Sequence, residues 1–246
     1  MMIAKPLALV TIVADNRMIG NADDSPLPFN FASGLDWILH VEDGKTEAGK
    51  DQDPKAYLKH NLIYGRRVYE EFAGYGILPS GGGVNYVVSK SMAHPDGTPK
   101  PLPTVLGDDS TVNPRLLAVG SIEQAVELGT KLETDSYQPG EMCLVLGGQR
   151  IYTDTLPHAT FLRMIRMRAN FDGGILFPEY DEKEWTPIYK SKPKVETNQV
   201  DGKDLEVQLF EYVRAKDAKD PALAPVLESI QKVNRAFAAF EPLVDD

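Results

Sequence analysis

Apolar residues along the chain gather in short β-branched runs, and segments of helical spacing separate them. Leu7–Ala14 is almost wholly apolar and stops at Asp15-Asn16, which reads as a strand buried on both faces. Asn61–Tyr64, Val84–Val88 and Met142–Leu146 have the same character, and Leu116–Val119 reads as a shorter strand. A helix is expected from about Ser33, where Ser33-Gly34-Leu35-Asp36 fits a capping arrangement and Leu35, Ile38 and Leu39 supply an apolar face. Further helices are expected over Arg66–Ala73, from Ser121-Ile122-Glu123-Gln124 onward, and over Gln149–Leu156. Phe161–Phe171 and Leu205–Val213 read as late strands. Strands alternating with helices, then extended segments, predict an α/β fold. Its central sheet is mostly parallel with helices on both faces, and an antiparallel C-terminal hairpin finishes it.

Polar or proline-rich stretches mark the loops: Asn21–Pro28, Asp43–Lys55, Gly81–Gly83 and Ser91–Thr104. The tail has its own pattern. Ala215–Asp220 resembles a linker, and Pro225–Phe240 carries Val226, Leu227, Ile230, Val233, Phe237 and Phe240 on one side of a helix. Residues 1–214 are therefore read as one domain and residues 215–246 as a linker plus an amphipathic helix. A lone helix of that length is marginal in water, so its apolar face needs a partner. Its own domain is one candidate, and a second copy, giving a homodimer through this helix, is the other.

Composition narrows the function. With 42% hydrophobic and 25% charged residues, the 246-residue chain can bury a core. Acids outnumber bases 36 to 26, and the net charge of −10 argues against nucleic-acid binding. No apolar run approaches the ~18 residues that span a bilayer, so no membrane partner is expected. The first residues lack the pattern of a signal peptide, and a cytoplasmic location is expected. A single cysteine, Cys143, and four scattered histidines (His40, His60, His94 and His158) suggest neither a disulfide nor a metal site.

Candidate chemistry sits in two glycine turns, Gly65-Arg66-Arg67 and Gly147-Gly148-Gln149-Arg150. Each follows an apolar strand and precedes a helix. Glycine admits a phosphate close to the backbone, the helix start offers free N–H groups, and arginine adds a planar fork. Taken singly, each is weak evidence, because a strand-to-helix turn with glycine is more often just a turn, and neither is a Rossmann or P-loop fingerprint.

In order along the chain come Val13–Gly20, Leu27-Pro28-Phe29, Leu35-Asp36-Trp37, Tyr64–Glu70, Leu78-Pro79, Asn85–Ser89, Leu146–Tyr152 and Phe177-Pro178. This series resembles the dihydrofolate reductase family from about Leu7 to Arg214, with insertions near residues 21–26, 43–55 and 91–114. The resemblance implies NADPH as cofactor, along the edge of the sheet. Arg66 and Arg67, flanked by Gly65 and Val68, match the basic turn that holds the 2′-phosphate and pyrophosphate, and Ser89 and Lys90 match the strand end that also touches it. Gly147, Gly148, Gln149, Arg150 and Ile151 match the turn under the pyrophosphate. Ile12 and Ile19 match positions whose backbone meets the nicotinamide, and Gly20 begins a mobile loop.

On the substrate side the same resemblance assigns Ile38, Phe72, Leu78, Leu146 and Tyr152 to the cleft. The family's substrate-gripping carboxylate falls on Gly34, and the threonine that supports it falls on Ile165. Asp36, two residues on, is either the displaced catalytic carboxylate or a cap for Ser33. The arginine for the folate glutamate tail falls in Gly81–Gly83, and the loop-closing aspartate falls on Gly174. The implied reaction is NADPH-dependent reduction of 7,8-dihydrofolate to tetrahydrofolate, a step of one-carbon metabolism. The alternatives are a reductase of the same fold acting on another heterocycle, such as a riboflavin-pathway pyrimidine, and an inactive nucleotide-binding or assembly protein.

Overall fold

A computed structural model describes residues 4–22, 27–43, 59–74, 83–132, 137–138, 140–172, 174–237 and 239–243. In chain order the elements are β1 (Leu7–Ala14), β2 (Met18–Gly20), α1 (Ala32–Asp43), β3 (Asn61–Gly65), α2 (Arg66–Gly74), β4 (Asn85–Val88) and β5 (Lys100–Pro103). Then follow β6 (Val112–Val119), α3 (Ile122–Thr130), β7 (Cys143–Gly147), α4 (Gln149–Thr155), β8 (Phe161–Met167) and β9 (Ile175–Leu176). The last are β10 (Trp185–Lys190), β11 (Lys194–Thr197), β12 (Asp204–Arg214) and α5 (Ala224–Ala236).

One sheet runs in the order β10-β12-β8-β1-β7-β3-β4-β6-β5, with β11 paired to β12, and β2 and β9 form a separate ribbon. Its centre is parallel: β1 lies between β7 and β8, and β3 joins β7 to β4 and β6. β12 turns antiparallel onto β8, and β10 and β11 pair antiparallel with β12. The alternation of β1 explains why its strand is apolar throughout. Ala8, Val10 and Ala14 enter a core that also holds Trp37 of α1, Tyr69 of α2 and Ile230 of α5. Leu7, Leu9 and Val13 enter the opposite core with Ala125 of α3 and Ile151 of α4.

Some expectations change. α1 starts at Ala32, which places Ser33 inside the helix rather than at its cap. The proline-rich stretch read as a loop contains β5, which pairs antiparallel with a β6 that begins at Val112, ahead of the Leu116 start expected. β5 is an edge strand, where proline's missing N–H costs no ladder bond. β8 ends at Met167, short of Phe171, and α5 ends at Ala236, short of Phe240. At α3 the expected cap forms: Gln124 N–H donates to Ser121 Oγ at 3.1 Å.

The tail is built into the sheet. Residues 215–219 form tight turns, with the Asp217 N–H donating to Arg214 C=O and the Ala215 N–H to Glu184 C=O. Leu223, Val226, Ile230 and Phe240 are buried in the core beside α1, whereas Glu228, Gln231, Lys232 and Arg235 are exposed. Asn234 donates from Nδ2 to Glu211 Oε1 at 2.9 Å, and Glu211 forms a fully buried, two-pronged pair with Arg163 (2.7 and 2.9 Å). The apolar face offered in the sequence reading to a second copy is thus taken up by the chain's own sheet. Among the described residues no helix is long and apolar enough to cross a membrane, and no cluster of His, Cys, Asp and Glu could hold a metal ion.

Candidate active site

Parallel strands deliver their C-terminal ends to one edge, and there helices begin. Register pairs Tyr64 with Gly147, Gly65 with Val88, and Val88 with Val119, so the turns into α4, α2 and α3 lie along a line. Such an edge is where helix N-termini and free N–H groups face an anionic ligand. The two glycine turns touch. A Cβ on Gly65 would lie 3.3 Å from Ile151 Cδ1 and 3.7 Å from Gly148 N. Gly147 has φ +118°, a conformation that favours glycine, and its peptide bond to Gly148 is cis. A Cβ on Gly148 would meet nothing within 4 Å, so the backbone is open at that point.

Positive charge is concentrated here although the chain as a whole is acidic. Arg66 and Arg67 open α2 and are exposed, as are Lys90 after β4 and Gln149 and Arg150 at the start of α4. Arg66 Nε donates to Glu70 Oε1 at 2.6 Å, and its Nη1 reaches Ser91 Oγ at 3.4 Å. Ser89 is buried, with its Oγ 3.2 Å from that of Ser91. Val68 is half-buried and Ile151 is buried.

On the α1 and α2 face, Ile12, Ile38, Leu146 and Phe72 are half-buried, the first three bordering the core beneath. Phe72 packs edge-on to Tyr64 with ring centroids 6.0 Å apart. Tyr152 is buried, its hydroxyl donates to Val10 C=O at 2.7 Å, and burial raises its pKa above the ordinary phenol range. Leu78 lies outside the described residues. Ile19 and Gly20 are half-buried in the β2–β9 ribbon, which pairs Gly20 with Ile175. This ribbon escaped the sequence reading because its strands are only two and three residues long.

Geometry accounts for the departures on the substrate side. A Cβ at Gly34 would come 2.8 Å from Phe31 Cε2 and 3.0 Å from Ile12 Cδ1, so a larger side chain there meets Phe31. Asp36 is exposed and lies about 200° round the helix from Gly34; the structure does not bring it to Ile12. Ile165 is fully buried and is the register partner of Ile12. Gly174 has φ +95°, and a Cβ would stand 2.3 Å from Gly20 O, so an aspartate does not fit. At Gly83 a Cβ would lie 2.0 Å from His60 O, which excludes an arginine. Gly81 and Gly82 lie outside the described residues.

Asn198, in the turn between β11 and β12, is 1% exposed and went unnoticed in the sequence. Its Nδ2 donates to Pro28 C=O at 3.0 Å, and its Oδ1 accepts from Asn30 N–H at 2.9 Å, pinning the segment that leads into Phe31 and α1. The Asn198-to-Gly202 composition signals a turn, but not what the turn holds.

Comparison with known proteins agrees with this architecture. The family model for dihydrofolate reductase matches residues 55–212. The dihydrofolate reductase of Bacillus subtilis (strain 168) is 26% identical over 148 residues, 60% of this chain and 78% of that protein. Dihydrofolate reductase HdrB of Haloferax volcanii is 27% identical over 180 residues, 72% of this chain and 73% of that protein. A solved structure of the Enterococcus faecalis dihydrofolate reductase, complexed with NADP(H) and RAB-propyl, shares the fold with a TM-score of 0.54 at 18% identity. The match covers 85% of this chain and 96% of that one. The chain belongs to the dihydrofolate reductase family of oxidoreductases.

Proposed function

We propose that the protein catalyses NADPH-dependent reduction of 7,8-dihydrofolate to 5,6,7,8-tetrahydrofolate, a step of one-carbon metabolism. The observation that carries this reading is the pair of touching glycine turns beside Arg66 and Arg67, in a chain of this family. The open backbone at Gly148 suits a pyrophosphate, and the NADP(H) of the Enterococcus faecalis neighbour supports the same cofactor. NADPH would supply the hydride; the chain supplies binding, alignment and exclusion of water.

Arg66 and Arg67 would hold the 2′-phosphate, with the hydroxyls of Ser89 and Ser91 and the Lys90 ammonium beside them. The N–H groups from Gly147 to Ile151 would face the pyrophosphate, and the backbones of Ile12 and Ile19 would hold the carboxamide edge of the nicotinamide. Ile38, Phe72, Leu146 and Tyr152 would wall the cleft with apolar surface, with Leu78 on the same wall by family position. Exposure of Asp36 supports a route in which water, not this carboxylate, delivers the proton to N5 of the substrate.

A second reading is favoured by Gly34, Ile165 and Gly83, which leave no side chain for an aminopyrimidine edge or a glutamate tail: reduction of another, smaller heterocycle. The test is NADPH oxidation by the purified protein with and without dihydrofolate. Dihydrofolate-dependent turnover is expected. Tight NADPH binding with no such turnover would contradict the first reading and leave the second.

A further inference from the structure

Position 34 lies on the side of α1 that packs against β1, and a neighbouring ring fills the space its side chain would need. Phe31 is 2% exposed, and its Cε2 stands 2.8 Å from where a Cβ of residue 34 would be. The ring is held in a fixed segment. The Gly34 N–H donates to Phe31 C=O at 3.1 Å, and Asn198 grips the chain on the other side through Pro28 and Asn30. Across from Phe31 stands Ile12 Cδ1, 3.0 Å from the same point, and beside Ile12 its register partner Ile165 is fully buried. Three apolar side chains from α1's approach, β1 and β8 therefore pack together, and of the three Ile12 is the half-buried one. Trp37, three residues on and on the same side of the helix, keeps its buried Nε1–H without a hydrogen-bond partner among the described residues. Charge approaches the start of α1 from β11, where Glu196 hydrogen-bonds Ser33 and is already paired with Lys194.

We infer that Phe31 is the specificity-determining residue of the substrate cleft. By filling the space of a side chain at position 34, it makes the site select the uncharged form of an aminopyrimidine ring and reject the protonated, amidinium form. The inference rests on the reductase reading above. A carboxylate would pair with an amidinium through two charge-assisted hydrogen bonds and favour the protonated ring. An apolar floor offers no such pairing, and a cation set against it loses hydration without compensation.

The probe is 2,4-diaminopyrimidine, titrated by calorimetry into the full-length protein saturated with NADPH, well above and well below the ring's own pKa. Affinity should be at least about tenfold weaker when the ring is protonated, a difference of about 1.4 kcal/mol. Equal or tighter binding of the protonated ring would overturn the inference. The double variant Phe31→Ala/Gly34→Asp removes the ring edge and supplies a carboxylate; it should reverse the preference, and Phe31→Leu/Gly34→Asp, which keeps more of the buried volume, should reverse it in the same direction. If the parent protein binds the probe at neither pH, a gain of binding in either variant supports the inference. No gain in a variant that still binds NADPH refutes it. Failure of dihydrofolate turnover alongside the expected pH preference would count against the reductase reading and not against Phe31.

Discussion

On the proposed cofactor side of the cleft, glycine turns and exposed cations crown the ends of parallel strands; on the proposed substrate side, α1 meets β1 and β8 through Gly34, Phe31, Ile12 and Ile165, all apolar. The first half is open backbone and exposed charge at the edge of the sheet. The second is close-packed: a Cβ added at Gly34 would stand 2.8 Å from Phe31 and 3.0 Å from Ile12. Sites that bind a phosphate need little more than N–H groups and cations, whereas sites that grip one heterocyclic edge need a placed acid or a placed absence of one. The difference also sets what each half can lose. Charge can be removed from the turn without touching the core, but the substrate half stands on β8, and β8 carries a buried ion pair.

That pair gives the largest expected effect. Arg163 and Glu211 are each 1% exposed in their side chains, and Arg163→Leu would leave the Glu211 carboxylate buried beside Asn234 without its cation. Stability should fall by about 3–5 kcal/mol, or about 2–4 °C in Tm for each kcal/mol, measured by thermal unfolding. An unchanged Tm would mean that the tail and β8 are not braced through this contact.

Arg66→Ala/Arg67→Ala attacks the other half. Two charge-assisted contacts at about 1.5 kcal/mol each should cost NADPH roughly 10²-fold in affinity while NADH changes little. Because both side chains are exposed, Tm should stay within the equivalent of about 0.5 kcal/mol. Equal losses for the two cofactors, in a binding titration, would remove the 2′-phosphate from this turn.

Acid should weaken the sheet beneath both halves. His60, at the entry to β3, is buried; desolvation, and then the nearby charges of Arg163 and Lys5, lower its pKa to about 3, and its Nδ1 accepts the Met142 N–H. Its folded pKa lies below the unfolded value, so the unfolded chain takes up the extra proton. Stability is then complete above about pH 6.5 and falls toward pH 3, by up to about 1.4 kcal/mol per unit. Urea midpoints followed with pH should show this slope, and His60→Gln should flatten it. A slope identical in the variant would assign the loss to other groups.

The smallest effect is expected from Asp36→Asn. An exposed carboxylate away from the cleft should change stability by no more than about 0.5 kcal/mol and turnover by no more than about twofold. A loss near 10²-fold would bring Asp36 into the chemistry and erase the contrast between the halves.

The strands and glycine turns of the proposed cofactor half were legible in the sequence. Strands buried on both faces read as unbroken apolar runs, and a glycine between such a run and a helix marks the turn whatever surrounds it, as at Gly65 and Gly147. The substrate half was not, because its defining fact is a distance between residues 31 and 34 and a third residue on β1. Phe31 looks like any aromatic before a helix. Ser33-Gly34-Leu35-Asp36 has the composition of a cap, yet α1 already begins at Ala32. Prolines hid β5 because an edge strand tolerates what a central strand does not. The tail helix was visible by its spacing, but its seat was fixed by Asn234 and Glu211, a contact between elements that no periodicity encodes.

The contrast between the proposed cofactor half and a proposed substrate half with no acid at position 34 is tested most directly by the pH dependence of hydride transfer. Single-turnover reaction of the NADPH complex with dihydrofolate would be followed across the neutral range. If water supplies the proton, the rate should fall about tenfold for each unit rise in pH, with no plateau. A plateau at low pH that titrates away with a single protein pKa, and that survives in Asp36→Asn, would reveal an acid in the cleft and contradict the account.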